Sequence, residues 1–137
     1  MIAGPEALCR SYANAKDGES LAAHYLFPYV SFTLGQVHTF DTLEEAEKGC
    51  REQLERFERF GLGYDLRMPE FRVEQVAADS ALCHITWEIH PPAGMEGFRW
   101  TNVYGYRRRG ESEGFEFNIS DNEIGSLLER FPDFFTA

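Results

Sequence analysis

The segment 42–60 carries the clearest helix pattern in the chain. Thr42 and Glu45 form a capping-box sequence at its start, and Gly61 follows its last turn. Along one side an apolar residue recurs every three or four positions: Leu43, Ala46, Cys50, Leu54, Phe57 and Phe60. The other side carries Glu–Lys and Glu–Arg pairs four residues apart, as is typical of a solvated surface. A helix of this kind must bury its apolar side against another layer of the fold.

The sequence around this helix changes from a helical to a β pattern. Two shorter helices are predicted over 5–16 and 19–26, with Pro28 closing the second. Two short strands or one kinked hairpin flank Gly35. After Gly61 the alternation of apolar and polar residues predicts four strands and a last helix: 70–77, 81–90, 98–108, 114–121 and 122–131.

This order of elements predicts an α+β fold. The 137 residues fit one domain, 1–137, whose C-terminal helix and tail cover about 122–137. Because the strands follow one another as a meander, we expect an antiparallel sheet with the helices on one face. A sheet that curves around the long helix would form a cone with an open end.

Composition favours a ligand cavity over a charged binding surface. The chain contains 12 Phe, 6 Tyr and 2 Trp, a large rigid apolar content that suits a core with an aromatic-lined cavity. The net charge of −10 argues against non-specific binding to nucleic acid or to an anionic membrane, because phosphates would repel the protein. No nucleotide-binding or catalytic-triad motif occurs, so we expect no cofactor.

The cysteines and histidines do not indicate a disulfide or a metal site. Cys9, Cys50 and Cys83 are widely spaced and lie on apolar sides of predicted elements, which favours free buried thiols and a reducing cytoplasm. Glu88 and His90 could approach one ion, but a catalytic zinc takes three protein ligands. The first residues lack the basic and apolar regions of a secretion signal.

Two stretches of the sequence resemble a known family. The start, YANAKDGESLAAHY at 12–25 with VSF at 30–32, and the end, YGYRRR at 104–109 with GFEFNISD at 114–121, are similar to NTF2-like (SnoaL-like) proteins. The resemblance implies the cone fold and a range of functions that includes isomerases, cyclases, dehydratases, dioxygenase small subunits and non-catalytic binding modules. Steroid isomerases of this fold carry a carboxylate base where this chain has 30–35, a stretch without an acid.

Asp121 is the candidate residue for proton transfer. On a regular strand it shares a face with three apolar residues: Phe115, Phe117 and Ile119. A carboxylate at the edge of an apolar cavity has its pKa raised by desolvation and can act as a general base. The resemblance also implies a polar pocket residue near this point. The alternative is that Asp121 caps the helix that begins near Asn122.

The strand 98–108 supplies the candidate ligand-binding face. Trp100, Asn102, Tyr104 and Tyr106 alternate onto one side, where Asn102 and Tyr104 could orient a carbonyl or an enolate. The alternative is that this side lies outside the sheet and packs in a dimer interface. For the pocket we expect further aromatic walls: Tyr12, Tyr25, Trp87 and Phe117.

Two hypotheses of function follow. The first is a small cofactor-independent enzyme that binds a hydrophobic, ring-containing molecule and moves a proton, as in isomerisation, cyclisation or dehydration. The alternative is a non-catalytic ligand-binding or accessory subunit of the same fold.

We also expect a homodimer, because one face of the sheet is left without helices and an uncovered apolar face usually marks an association site. That face carries either the Trp100 set or Thr101 and Val103. The apolar tail, with Phe131, Phe134 and Phe135, should dock on its own cone or on the partner.

Overall fold

A computed structural model describes residues 3–92 and 94–136. Met1, Ile2, Ala93 and Ala137 lie outside the described residues, and with them part of the segment inspected for a secretion signal. The elements follow in this order: α1 (Pro5–Ala13), α2 (Gly18–Ala22), β1 (Tyr25–Thr33), β2 (Gln36–Phe40), α3 (Leu43–Arg59), β3 (Leu66–Ala77), β4 (Ser80–Ile89), β5 (Phe98–Arg109), β6 (Ser112–Ile119) and α4 (Asp121–Arg130).

The strands form one curved, unclosed sheet in the order β2-β1-β6-β5-β4-β3. Neighbouring strands are antiparallel except β1 and β6, which run parallel. The predicted α+β architecture is therefore confirmed. Within the described residues, no helix is long and apolar enough to cross a membrane.

The long helix α3 packs on the inner face of the sheet. The Thr42 side chain accepts a hydrogen bond from the Glu45 amide at 3.2 Å, which satisfies one free N–H of the first turn. Near the other end the Phe57 ring meets the Trp100 ring edge-on, with centroids 6.1 Å apart. Leu43 departs from the predicted apolar stripe, because its side chain is exposed at the start of the helix.

The second helix is shorter than predicted, and Pro28 lies inside a strand. The chain leaves α2 after Ala22 because Tyr25 already pairs with Phe115 of β6. The ladder between β1 and β6 shifts between Tyr25 and Val30, and β2 begins to pair with β1 at Tyr29. Pro28 therefore occupies an irregular part of β1, where a residue without an N–H is tolerated.

The strand β6 contains a bulge that changes which residues face the core. Phe115 pairs with Tyr106, whereas Phe117 pairs with Gly105, so Glu116 is an extra residue in the ladder. The alternation resets there, and Phe117 turns to the outer face, where its ring covers the space beside Gly105. The prediction that Phe117 shares the inner face with Phe115 is wrong for this reason.

The C-terminal tail docks on its own chain. Phe134 is fully buried, and its ring lies 6.1 Å from that of Phe57 and 5.1 Å from that of Phe60, both on or next to α3. Phe131 also contacts Phe60, with ring centroids 5.2 Å apart. Of the two docking sites expected for the tail, the structure shows the one on the same cone.

An apolar patch covers the outer face of the sheet on its β2, β1, β6 and β5 side. We call it the outer patch, and its members are Val30, Phe32, Val37, Val103, Phe117 and Ile119. Trp100, Asn102 and Tyr104 lie instead on the inner face. Of the two sets considered for the outer face, the structure therefore places the Val103 set there.

We expect two copies of the chain to pair through the outer patch, since dimerisation would remove its apolar surface from water. Val37→Lys should weaken dimerisation about tenfold or more, because it brings an unpaired ammonium into the interface. Sedimentation equilibrium measures the shift from twice the 15.7 kDa chain mass to the single chain.

Val76→Lys is the matched control for that experiment. Val76 lies on the opposite edge strand and is 62% exposed, the same fraction as Val37. A wild-type chain that stays monomeric at high micromolar concentration contradicts the dimer. Equal dissociation of both variants would instead contradict the assignment of the interface to the outer patch.

Candidate functional site

A cavity of about 520 Å³ lies between α3 and the inner face of the sheet. Six of the residues predicted to bind a ligand line it: Tyr12, Tyr25, Trp87, Trp100, Asn102 and Tyr104. Of the two positions considered for the Trp100 side of the strand 98–108, the structure therefore shows the one that faces the cavity. Phe117 and Asp121, the other two predicted site residues, lie outside the cavity wall.

Tyrosine side chains form one wall of the cavity and hydrogen-bond one another. The Tyr12 and Tyr25 hydroxyl oxygens are 2.6 Å apart, and the Tyr25 and Tyr29 rings stack with centroids 3.9 Å apart. Trp87 Nε1 donates to the Tyr104 hydroxyl at 3.1 Å. Burial raises the pKa of each of these four tyrosines well above its usual range. The wall is therefore polar but uncharged near neutral pH.

The Glu123 carboxylate belongs to the opposite part of the wall. Glu123 is in the first turn of α4, next to Ile124 and one turn before Leu127, both of which are buried. Its Oε1 accepts a hydrogen bond from Asn102 Nδ2 at 2.7 Å, and its Oε2 accepts one from Gln53 Nε2 at 3.2 Å. Both donors are neutral amides.

Burial controls the protonation of this carboxyl group. Removal from water raises the pKa of Glu123 above its ordinary value of 4.5, whereas the two N–H donors oppose the rise by stabilising the anion. A carboxylate with a raised pKa in a cavity is a better proton acceptor than one in water.

Arg56 fixes the orientation of the Gln53 amide. Its Nε and Nη2 atoms both donate to Gln53 Oε1, at 3.2 and 2.9 Å. A guanidinium has no acceptor, so the Gln53 oxygen must face Arg56 and its nitrogen must face Glu123. The Gln53 amide is therefore fixed from its oxygen end, with its N–H left to donate to Glu123.

Two buried polar atoms in the cavity wall have no hydrogen-bond partner among the described residues. They are Trp100 Nε1, a donor, and Asn102 Oδ1, an acceptor. Trp100 is 3% exposed and Asn102 is 2% exposed. An unpaired buried polar atom is unfavourable by about 1–3 kcal/mol, so a hydrogen-bond partner at either atom would be stabilising.

Asp121 does not face the cavity. It is the first residue of α4, it is exposed, and its Oδ1 accepts a hydrogen bond from the Leu34 amide at 3.1 Å. Leu34 and Gly35 both have positive φ, as the tight turn between β1 and β2 requires. The expected placement of Asp121 at the cavity edge is wrong because the bulge at Glu116 changes the alternation. The expected cap is wrong as well, since its carboxylate bonds to this turn.

The bulge also brings a polar residue into the wall that sequence reasoning missed. Asn118 faces inward, donates through Nδ2 to the Tyr29 hydroxyl at 2.7 Å and accepts from Ser31 Oγ at 2.8 Å. These bonds use both ends of its amide. Asn118 therefore supports the tyrosine wall.

The described residues contain no group of three or more His, Cys, Asp or Glu side chains placed to hold a metal ion. Cys50 lines the cavity, and its Sγ lies 3.7 Å from the Tyr25 hydroxyl. Burial raises the pKa of the Cys50 thiol to about 11, so it remains protonated near neutral pH.

No protein-family model matches the sequence, and no curated protein matches it. Solved structures do match the fold. A domain of unknown function with a cystatin-like fold from Nostoc punctiforme shares 18% identity at a TM-score of 0.63, covering 93% of this chain and 82% of that one. An NTF-2 like protein of unknown function from Shewanella oneidensis shares 9% identity at a TM-score of 0.63, covering 83% of this chain and 93% of that one.

The chain has the NTF2-like fold. A ketosteroid isomerase-like protein from Erwinia carotovora also shares it, with 20% identity, a TM-score of 0.61 and coverage of 83% of this chain and 89% of that one. The predicted resemblance is thus confirmed at the level of the fold. Identity this low carries the NTF2-like architecture and no activity, so the function must be argued from the cavity.

The raised pKa of Glu123 predicts how the stability of the protein depends on pH. The folded state favours the protonated carboxyl, so its contribution is complete below the ordinary value of 4.5 and is lost as the pH rises through the folded pKa. Glu123→Gln should therefore be more stable than the wild type at neutral pH and equally stable at acidic pH. Urea unfolding at a series of pH values measures the difference.

Glu129→Gln is the control, because Glu129 lies on the same helix and is exposed. It should follow the wild type at every pH. A Glu123→Gln variant that is less stable than the wild type at neutral pH, or whose stability difference does not change with pH, contradicts a carboxylate that is destabilised by partial removal from water.

Proposed function

We propose that the protein binds a neutral, ring-containing small molecule in its cavity and that Glu123 transfers a proton on it without a cofactor. The observation that carries this proposal is the Glu123 carboxylate, which lines the cavity with two neutral amide donors on it and a raised pKa. Titratable groups perturbed by burial in a cavity are frequent at functional sites.

The size and lining of the cavity support a ring-containing ligand. Its volume of about 520 Å³ lies in the usual range for small-molecule sites. Tyr25, Tyr29, Trp87 and Trp100 offer ring surfaces on which a planar molecule can stack. A neutral ligand is favoured, because the two acidic residues that line the cavity, Glu52 and Glu123, are balanced by Lys16 and Arg56.

The surroundings of Glu123 support the role of proton acceptor. In the proposed step, a Glu123 oxygen takes a proton from a carbon next to a ligand carbonyl. The electrons of the C–H bond move to the carbonyl oxygen and form an enolate, and the carboxyl then returns the proton to carbon. The Arg56–Gln53 pair holds the carboxylate in one orientation, as proton transfer requires.

A non-catalytic binding module is the second candidate. It is supported by the other ionisable groups described above, because burial keeps the phenols and the Cys50 thiol protonated near neutral pH. On this alternative the cavity would hold its ligand unchanged, and Glu123 would contribute only to affinity.

Exchange of hydrogen for deuterium on β-tetralone, a bicyclic ketone with acidic C–H groups, separates the two candidates. We expect the protein to accelerate exchange in deuterated buffer above the buffer rate, as measured by proton NMR. Glu123→Gln should lower the protein-dependent rate by at least about 100-fold, the usual contribution of a general base. The rate should rise with pH as Glu123 ionises.

Glu129→Gln again serves as the matched control and should exchange the ketone at the wild-type rate. The proton-transfer role is contradicted if the wild type binds β-tetralone without accelerating exchange, or if Glu123→Gln retains the rate. Binding without exchange would support the non-catalytic module.

A further inference from the structure

From the unpaired atoms in the cavity wall we infer the class of ligand: a neutral ring compound that carries both a carbonyl and a hydroxyl group. The carbonyl oxygen accepts the hydrogen bond offered by Trp100 Nε1, and the hydroxyl donates to Asn102 Oδ1. This inference rests on the proposed function of the cavity and names the ligands that it selects.

The Asn102 amide can offer the ligand only its oxygen. Its nitrogen donates to Glu123 Oε1 at 2.7 Å and lies 3.3 Å from the Tyr104 hydroxyl. An ionised carboxylate can only accept hydrogen bonds, so the amide nitrogen must face Glu123. Asn102 Oδ1 is left as an acceptor in a buried position, where it requires an O–H or N–H from the ligand.

The Trp100 indole can only donate. Its ring is packed against Phe57 at 6.1 Å and against Phe98 at 5.5 Å, centroid to centroid, which restricts its movement. Its Nε1 has no acceptor among the described residues, although the side chain is 3% exposed. A ligand oxygen with a free lone pair satisfies this donor, and a carbonyl presents such an oxygen without bringing a charge.

The Tyr104 hydroxyl is already held by other residues of the wall. It accepts from Trp87 Nε1 at 3.1 Å and lies 3.3 Å from Asn102 Nδ2. The expectation that Tyr104 orients a ligand carbonyl is therefore replaced by Trp100. Among the three candidate residues on β5, Trp100 and Asn102 therefore bind the ligand, and Tyr104 supports the cavity wall.

Selectivity for the hydroxyl group follows from the buried acceptor. A ligand that lacks a donor fills the cavity but leaves Asn102 Oδ1 unpaired and shielded from water. In a solvated site, water would pair with this oxygen and the missing donor would cost little. Sites built to hydrogen-bond a ligand group discriminate strongly against analogues without that group. The same argument applies to Trp100 Nε1 and a ligand without a carbonyl.

Isothermal titration calorimetry with three bicyclic probes tests the ligand class: tetralin, β-tetralone and hydroxy-β-tetralone. These probes share one ring system and carry neither group, the carbonyl alone, or both. The wild type should bind β-tetralone about tenfold more tightly than tetralin, and hydroxy-β-tetralone about tenfold more tightly again, one hydrogen bond to a buried group at each step. Equal affinities for the three probes would overturn the inference.

Two variants assign each step to its residue. Asn102→Leu should abolish the preference for hydroxy-β-tetralone over β-tetralone and keep the preference for β-tetralone over tetralin. Trp100→Phe should do the reverse. Each preference is the ratio of the dissociation constants of two probes, measured on the same variant. A general loss of affinity for both probes therefore leaves the ratio unchanged. Unchanged ratios in both variants would overturn the assignment, and the wild-type series tests the ligand class even where a variant does not fold.

The probe series measures binding affinity, whereas the proposed proton transfer is measured by the rate of deuterium exchange. Selective binding without exchange supports the ligand class and contradicts catalysis. Exchange without selectivity supports catalysis and contradicts the ligand class.

Discussion

A half-buried carboxylate that accepts hydrogen bonds from two neutral amides is the interaction around which the inner wall of this protein is arranged. Glu123 on α4 accepts hydrogen bonds from Asn102 of β5 and Gln53 of α3. One side chain therefore connects α4, the sheet and α3. Arg56 orients Gln53 through two further hydrogen bonds. Removing a carboxylate from water is unfavourable unless it is well solvated by fixed dipoles, and these amides supply that solvation.

The position of the carboxylate also explains the unusual state of its neighbours. Because the Asn102 nitrogen is held by Glu123, its oxygen is left without a donor among the described residues, and Trp100 Nε1 is likewise without an acceptor there. A wall designed for stability alone would place apolar side chains at all three positions. Two unpaired atoms in one cavity wall, a donor and an acceptor, are what a ligand with matched polar groups would satisfy.

The bulge at Glu116 divides the last strand between two surfaces. Phe115 and Asn118 face the cavity side, whereas Phe117 and Ile119 face the outer patch. A regular strand would have placed Phe117 inside and would have brought Asp121 toward the cavity edge. One inserted residue therefore decides both the composition of the wall and the apolar surface that remains for association.

The parts of the structure that could be predicted from the sequence are those with a long regular period. The helix over 42–60 and the alternating face of Trp100, Asn102 and Tyr104 were predicted because many residues repeat the same pattern. The prediction that Pro28 ends a helix is wrong, since the irregular ladder that tolerates this proline depends on β6, which lies far away in the sequence.

Glu123 is not among the predicted site residues for a related reason. The prediction extends the alternation of a strand through Asp121, where the helix α4 already begins. With a helical period, Glu123 lies next to Ile124 and one turn before Leu127. In the same way, Gln53 lies between Cys50 and Phe57 on the inward side of α3. A polar residue inside an apolar stripe was the available signal. Its pairing with another element could come only from the tertiary structure.

Titration of the Glu123 side-chain carboxyl carbon by ¹³C NMR tests the central claim most directly, with the Glu123→Gln spectrum used to assign the resonance. The account predicts a titration midpoint above the ordinary glutamate value of 4.5, and a further rise in Asn102→Leu, which removes one N–H donor from the anion. A midpoint at or below 4.5 would show a solvated or ion-paired carboxylate and would contradict the proposed proton acceptor.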